Sequence, residues 1–165
     1  MTDNFINKTI WAQFGASIDM LGNAIDMCPQ KVWNKTNDFF DFWYLAYHTI
    51  SWLDFYLTES PDSFVPFLNF GLTELDPEGI LPGKVFTKEE LKFYIEHCRK
   101  KCKTTIESLN ETNANKDYRF GSVEFPFIEL MLYNMRHVQH HTAQLNLLLR
   151  QQIDSAPEWI KRTKD

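Results

Sequence analysis

Apolar residues recur with helical spacing in four segments of the chain, which polar or proline-rich stretches separate. The first segment covers residues 4–27 and ends before Pro29, because proline cannot continue a helix. The second covers residues 38–58, and Thr36 or Asn37 is its expected N-cap. The N-terminal half of this second segment is almost wholly apolar, so we expect a helix that is buried on most sides.

The third predicted helix begins with a capping box formed by Thr87 and Glu90 and ends at the polar stretch 110–115. Residues 59–86, which precede it, contain four prolines and three glycines, and this composition excludes a long helix there. The stretch is too long for a tight turn, so it predicts a crossover connection between the second and third helices.

The fourth predicted helix covers residues 123–152, with Ser122 as its candidate N-cap. Pro126 would lie in its first turn, where the missing N–H costs little. No segment shows a clear strand pattern. The sequence therefore predicts an all-α fold, a four-helix bundle with a long crossover between helices two and three, formed by residues 1–165 as a single domain.

Composition narrows the class of protein. Hydrophobic residues make up 44% of the 165 residues, enough for the core of one domain, and the net charge of −5 predicts no nucleic-acid partner. No apolar stretch reaches the ~18 residues of a membrane span, and the N-terminus lacks a secretory pattern, so no membrane partner is expected. Three cysteines, an odd number, argue against a disulfide framework and favour a reducing, cytoplasmic setting.

The strongest indication of chemistry is a pair of histidines on the fourth helix. His137 and His141 are four residues apart, so both imidazoles project from the same face, one turn apart. His48 lies in an equally apolar setting near the middle of the second helix, and it can meet the pair in the core. We therefore interpret His48, His137 and His141 as ligands of one divalent metal ion; the alternative is three hydrogen-bonded core histidines.

Three neutral imidazoles suit Zn²⁺ or Ni²⁺ and leave a coordination position open for a water, a thiolate or a substrate oxygen. Because the motif contains no carboxylate, the ion is expected to keep its full charge and to attract an anion. A His-Glu-x-x-His protease is excluded because Val138 stands where the glutamate base is needed. A di-iron bundle is excluded because neither Glu124 nor Glu129 lies three residues before a histidine.

Other side chains near the histidines are candidates for a second shell or a pocket. Tyr44 and Trp52 share a face with His48, and Asn134 and Gln144 flank the pair of histidines on the fourth helix. Tyr44 or Asn134 is suited to hold a ligand imidazole by a hydrogen bond or to orient a bound substrate. The alternatives are that Tyr44 and Trp52 only pack in the core, and that Gln144 only caps a polar gap in the bundle. His140 points away from the ligand face and is read as a surface histidine, with a role in the pocket as the alternative. Cys98 and Cys102 are read as small buried hydrophobes.

The sequence resembles the DinB/YfiT-like superfamily of metalloenzymes in two pieces. These are residues 42–52, FWYLAYHTISW, and residues 137–145, HVQHHTAQL. Family members similarly have one histidine on the second helix and a His-x-x-x-His pair on the last, often followed by a Gly-Gln or Ala-Gln step. Length, helix count and crossover agree over nearly the whole chain. The resemblance implies a four-helix bundle, often homodimeric, that binds Zn²⁺ or Ni²⁺ through His48, His137 and His141.

Characterised relatives in that superfamily include thiol-dependent enzymes, namely S-transferases that use bacillithiol and an isomerase that uses mycothiol. The leading hypothesis is therefore a metal-dependent S-transferase that combines a low-molecular-weight thiol with a small electrophilic substrate. A metal-dependent hydrolase with metal-bound hydroxide is the second hypothesis. The third is a non-catalytic, stress-related binding module in which the ion is a structural staple.

Overall fold

The structure, a computed structural model, describes residues 2–35, 41–68, 70 and 73–164. The described part of the chain is mostly helical and has one small sheet. Its helices are α1 (Thr2–Met27), α2 (Gln30–Trp33), α3 (Phe42–Tyr56), α4 (Lys88–Glu107), α5 (Glu111–Ala114) and α6 (Phe127–Ile153), and its strands are β1 (Asp117–Phe120) and β2 (Val123–Pro126).

The four long helices α1, α3, α4 and α6 correspond to the four predicted segments. Helix α1 packs against α4 and α6, and α3 packs against the same two helices. The mostly helical class is therefore confirmed. None of the described helices combines the length and the hydropathy that a membrane span needs.

The predicted starts of the second and third helices fare differently against the structure. At α4 the capping box is present: the Thr87 hydroxyl accepts from the Glu90 N–H at 3.2 Å, and the Glu90 carboxylate accepts from the Thr87 N–H at 2.8 Å. Helix α3 begins at Phe42, with Asp41 in the N-cap position. The caps expected at Thr36 or Asn37 lie outside the described residues.

The sequence showed no clear strand pattern, but the structure contains one short hairpin beside its helices. Strands β1 and β2 form an antiparallel hairpin in which Tyr118 pairs with Phe125. The connecting turn contains Gly121 with φ of 56°, a left-handed conformation that favours glycine. Helix α6 consequently begins at Phe127, so Ser122 is a turn residue rather than a helix cap and Pro126 precedes the first helical turn.

The connection between α3 and α4 contains no long helix in its described part, as predicted, but it is tightly docked. Short 3₁₀ helices occupy Pro61–Ser63 and Thr73–Leu75. Near the end of the connection, the Phe86 ring stacks on Tyr47 of α3 at a centroid distance of 4.9 Å. The end of the connection therefore packs against α3 at Tyr47.

Candidate metal centre

The three predicted histidines come together between α3 and α6. His48 lies near the middle of α3, and His137 and His141 lie one turn apart on α6. The His48 ring centroid is 5.4 Å from that of His137 and 4.9 Å from that of His141, while the two α6 rings are 4.5 Å apart. The packing of α3 against α6 thus gathers imidazoles that are far apart in the sequence.

One nitrogen from each ring belongs to a common cluster, and the three nitrogens lie within 4.8 Å of one another. Bonds from imidazole nitrogen to zinc are ~2.0–2.1 Å long, so small rotations of the rings are enough for all three nitrogens to reach one ion. The group of three histidines could therefore hold a divalent metal ion.

His48 is oriented by a carboxylate. Its Nδ1 lies 2.7 Å from Oε2 of Glu74, in the 3₁₀ helix Thr73–Leu75. Because a carboxylate oxygen accepts hydrogen bonds, Nδ1 carries the proton and donates it. The unprotonated Nε2 of His48 is then the nitrogen that can bind a metal ion.

Glu74 itself is almost completely enclosed, with a side chain that is 7% exposed. The indole Nε1 of Trp52 donates to its Oε2 at 3.2 Å, and the Tyr44 hydroxyl is hydrogen-bonded to the same carboxylate. Burial, followed by the charge of Glu74, raises the pKa of Tyr44 to about 12, so Tyr44 stays protonated as a donor. Two of the aromatic residues predicted near the site therefore contact it through Glu74.

The two α6 histidines differ in their partners. Nδ1 of His141 donates to the side-chain oxygen Oε1 of Gln144 at 2.6 Å, so Nε2 of His141 is also left as an acceptor. Nδ1 of His137 is buried and has no hydrogen-bond partner among the described residues. A buried imidazole nitrogen without a partner is costly, and a metal ion is one way to satisfy it.

The electrostatic setting keeps these rings neutral. The pKa of His137 is lowered to about 3, mainly by burial and further by the neighbouring imidazoles. Burial also lowers the pKa of His141, although the hydrogen bond to Gln144 partly opposes the shift. Neutral imidazole is the form that coordinates a metal, so the site does not have to lose a proton from either ring at neutral pH.

An open groove of about 480 Å³ follows α6 beside the histidines. His140, which is exposed, lines the groove, and its ring centroid is 5.0 Å from that of His141. His140 is thus a surface residue next to the cluster. The described residues that line the groove are Tyr133, Arg136, His137, Gln139, His140 and Ala143.

Asn134, a candidate for the second shell, lies outside the cluster, and Cys98 and Cys102 are buried, as predicted. Asn134 is fully buried, and its Nδ2 donates to the Leu53 carbonyl at 3.1 Å, a contact that ties α6 to α3. Cys98 and Cys102 are buried, free thiols on α4. None of these side chains belongs to the metal-binding cluster found among the described residues.

Sequence reasoning missed Glu74, although the cluster of candidate ligands contains no carboxylate, as expected. The carboxylate is not one of the clustered ligands, but it contacts one of them directly. The crossover also carries Glu59, Asp62, Asp76 and Glu78, and no periodicity distinguishes Glu74 from them. Only the tertiary docking of the crossover on α3 selects it.

Comparison of the chain with protein-family models, with curated proteins and with solved structures finds no match. The geometry of the site therefore carries the functional argument.

Proposed function

We propose that this protein is a divalent-metal-binding, DinB-like four-helix-bundle protein in which His48, His137 and His141 bind Zn²⁺ or Ni²⁺. We further propose that it is a thiol-dependent S-transferase that acts on small electrophiles. The observation that carries the proposal is the convergence of three imidazoles, two of which present Nε2 because an oriented acceptor holds the proton on Nδ1.

Three protein ligands suit a catalytic rather than a structural ion, because structural zinc sites are usually closed by four protein ligands. The cluster found among the described residues contains three, and His137 also lines the open groove on α6. A small molecule in that groove would thus have access to the fourth coordination position.

A bound divalent ion would lower the pKa of a thiol that binds to it and so supply a thiolate at neutral pH. In the proposed reaction the thiol sulfur forms a bond to the electrophilic carbon of the substrate. The leaving group departs with the electron pair of the bond that breaks, and the thiol proton passes to solvent. The chain contributes the orientation of the histidines and the groove in which the electrophile binds.

The groove is suited to a substrate with an anionic group. Arg136 lies on its wall and forms no salt bridge among the described residues, and no acidic side chain lines it there. Because long-range attraction between opposite charges favours binding, a carboxylate on the thiol or on the electrophile would be attracted to this surface.

Glu74 does not strengthen the hydrolase hypothesis. Its carboxylate already accepts hydrogen bonds from His48, Trp52 and Tyr44. A general base needs free access to the proton that it removes. A carboxylate with three protein donors is better suited to orienting a histidine than to activating a water.

Turnover of monochlorobimane tests the proposed activity. Zinc- or nickel-loaded protein, with cysteine as the thiol, is expected to accelerate loss of chloride and formation of the fluorescent thioether, and His141→Ala is expected to abolish the acceleration. His97→Ala is the matched control, because His97 is stacked on Phe67 and lies outside the cluster.

Full activity in His141→Ala, or equal turnover with and without metal, would overturn the proposal. Ester hydrolysis without any thiol would favour the hydrolase. Loss of thermal stability on chelation, with no thiol-dependent turnover under any metal loading, would favour a non-catalytic protein in which the ion only stabilises the fold.

A further inference from the structure

We propose that Glu74 is a positioning residue for the metal site: it holds the proton of His48 on Nδ1 and so directs Nε2 towards the ion. This inference rests on the proposed function and adds a residue from outside the three-histidine motif. It makes the crossover between α3 and α4 a part of the metal centre.

The first step is the choice of tautomer. A neutral imidazole carries its proton on either nitrogen, and only the unprotonated nitrogen can bind a metal. The 2.7 Å contact between His48 Nδ1 and Glu74 Oε2 is possible as a hydrogen bond only with the proton on Nδ1. Glu74 therefore fixes which nitrogen of His48 is available before any ion arrives.

The second step is the rigidity of Glu74. Its carboxylate is 7% exposed and accepts further hydrogen bonds from Trp52 and Tyr44, both on α3. The hydroxyls of the adjacent Thr73 and of Tyr47 are hydrogen-bonded at 2.8 Å. Tyr44, Tyr47 and Trp52 of α3 thus hold the 3₁₀ helix Thr73–Leu75 in place. The orientation of His48 therefore depends on a carboxylate that is itself fixed by hydrogen bonds.

The third step is charge. A buried carboxylate next to a ligand imidazole partly neutralises the charge of a divalent ion bound to that imidazole. Gln144 orients His141 in the same way but without a charge. Because of this difference, Glu74 is expected to contribute more to metal affinity than Gln144 does.

Zinc dissociation constants, measured by competition with a chromophoric chelator, test the inference. Glu74→Gln keeps an acceptor and removes the charge, whereas Glu74→Leu removes both. We expect zinc affinity to fall in the order wild type, Glu74→Gln, Glu74→Leu, with the last about 10- to 100-fold weaker than wild type.

Thr73→Val is the matched control, because it removes the hydrogen bond to Tyr47 in the same turn and leaves the carboxylate. It is expected to bind zinc within about 3-fold of wild type, well below the 10- to 100-fold loss expected when the outer partner of a ligand is removed. Nitrogen chemical shifts of His48 in the metal-free protein give a second readout. They should report a proton on Nδ1 in wild type and a mixture of tautomers in Glu74→Leu.

The outcomes separate this inference from the proposed function. Wild-type zinc affinity and an unchanged tautomer in Glu74→Leu would overturn the role of Glu74 while the metal site stands. Equal weakening in Thr73→Val and Glu74→Leu would also overturn it, because docking of the segment alone would then matter. Failure of the wild-type protein to bind zinc would remove the metal site and this inference with it.

Discussion

The side chains of His48 and Glu74 are joined at 2.7 Å although they are 26 residues apart and belong to different elements. His48 is on the buried helix α3, and Glu74 is on a short 3₁₀ helix of the crossover. The contact turns a histidine that could be a plain core residue into one with a defined tautomer. The expectations on metal binding below follow from this relationship and from the two histidines that face it.

Zinc is expected to stabilise the folded protein. A ligand that binds only the folded state adds about 4 kcal/mol to the free energy of unfolding when its concentration is 1,000-fold above Kd. Thermal unfolding followed by circular dichroism, with zinc and with a chelator, measures the difference. The His137→Ala variant should unfold at the same temperature in both conditions, and a zinc-dependent shift in that variant would contradict the assignment.

Gln144 is expected to contribute to metal affinity less than Glu74 does, because an amide orients the His141 ring without adding charge. The Gln144→Ala substitution should weaken zinc binding by about 10-fold or less. The Gln144→Glu variant should bind zinc at least as tightly as wild type, because it places a carboxylate next to Nδ1 of His141. Competition titrations with a chelator check both variants, and weaker binding by Gln144→Glu than by Gln144→Ala would refute the reasoning.

A buried ion pair away from the metal site, Asp54 with Lys101, joins α3 to α4. The Asp54 side chain is 1% exposed, and its carboxylate accepts from Lys101 at 2.7 Å and from the Tyr94 hydroxyl at 3.0 Å. Lys101→Met would leave the buried carboxylate without its cation and should destabilise the protein by about 3 kcal/mol.

Urea denaturation measures this difference in the free energy of unfolding. Lys100→Met is the matched control, because Lys100 is 75% exposed and its pair with Glu96 lies on the surface. Surface pairs contribute at most about 1 kcal/mol. An equal effect of the two substitutions would show that the Asp54 pair has no special importance.

The three cysteines are expected to be unreactive in the folded protein. Cys28, Cys98 and Cys102 are each 0% exposed, and burial raises the pKa of the Cys28 thiol to about 12. The thiolate is the reactive form, so Ellman's reagent at pH 8 should react only slowly with the native protein. In guanidinium, which unfolds the protein, it should react quickly with all three thiols. Fast labelling of native protein would contradict this, and it would also complicate any assay of thiol-dependent turnover.

The same shift predicts a pH dependence of stability. In the unfolded chain Cys28 loses its proton near pH 9, whereas the folded chain keeps it to about pH 12. Above pH 9 the unfolded state therefore binds fewer protons, and the stabilising contribution, complete below pH 9, is lost as the pH rises towards 12. Urea denaturation measures the free energy of unfolding at pH 8 and at pH 10.5. The decrease in this free energy between the two pH values should be smaller for Cys28→Ala than for wild type.

The sequence predicted the elements that depend on local pattern. Helical spacing of apolar residues located the long helices, and the spacing of Thr87 and Glu90 identified the start of α4. The i,i+4 pair His137 and His141, together with the apolar setting of His48, was enough to predict that the three side chains meet.

The parts that were missed depend on weaker or non-local information. Tyr118 and Phe120 alternate with polar residues, and a Gly-Ser turn follows, so the hairpin had a pattern that the apolar run of α6 obscured. Glu74 had none, because its position is set by aromatic contacts between the crossover and α3. A contact of this kind follows from tertiary packing and produces no periodic pattern in the sequence.

Metal content of the purified protein after zinc loading and gel filtration tests the central claim most directly. About one zinc per chain is expected in wild type and in His97→Ala, and less than about a tenth of that in His48→Ala, His137→Ala and His141→Ala, because a three-ligand site does not survive loss of a ligand. Wild-type zinc content in any one of these three histidine variants would contradict the account.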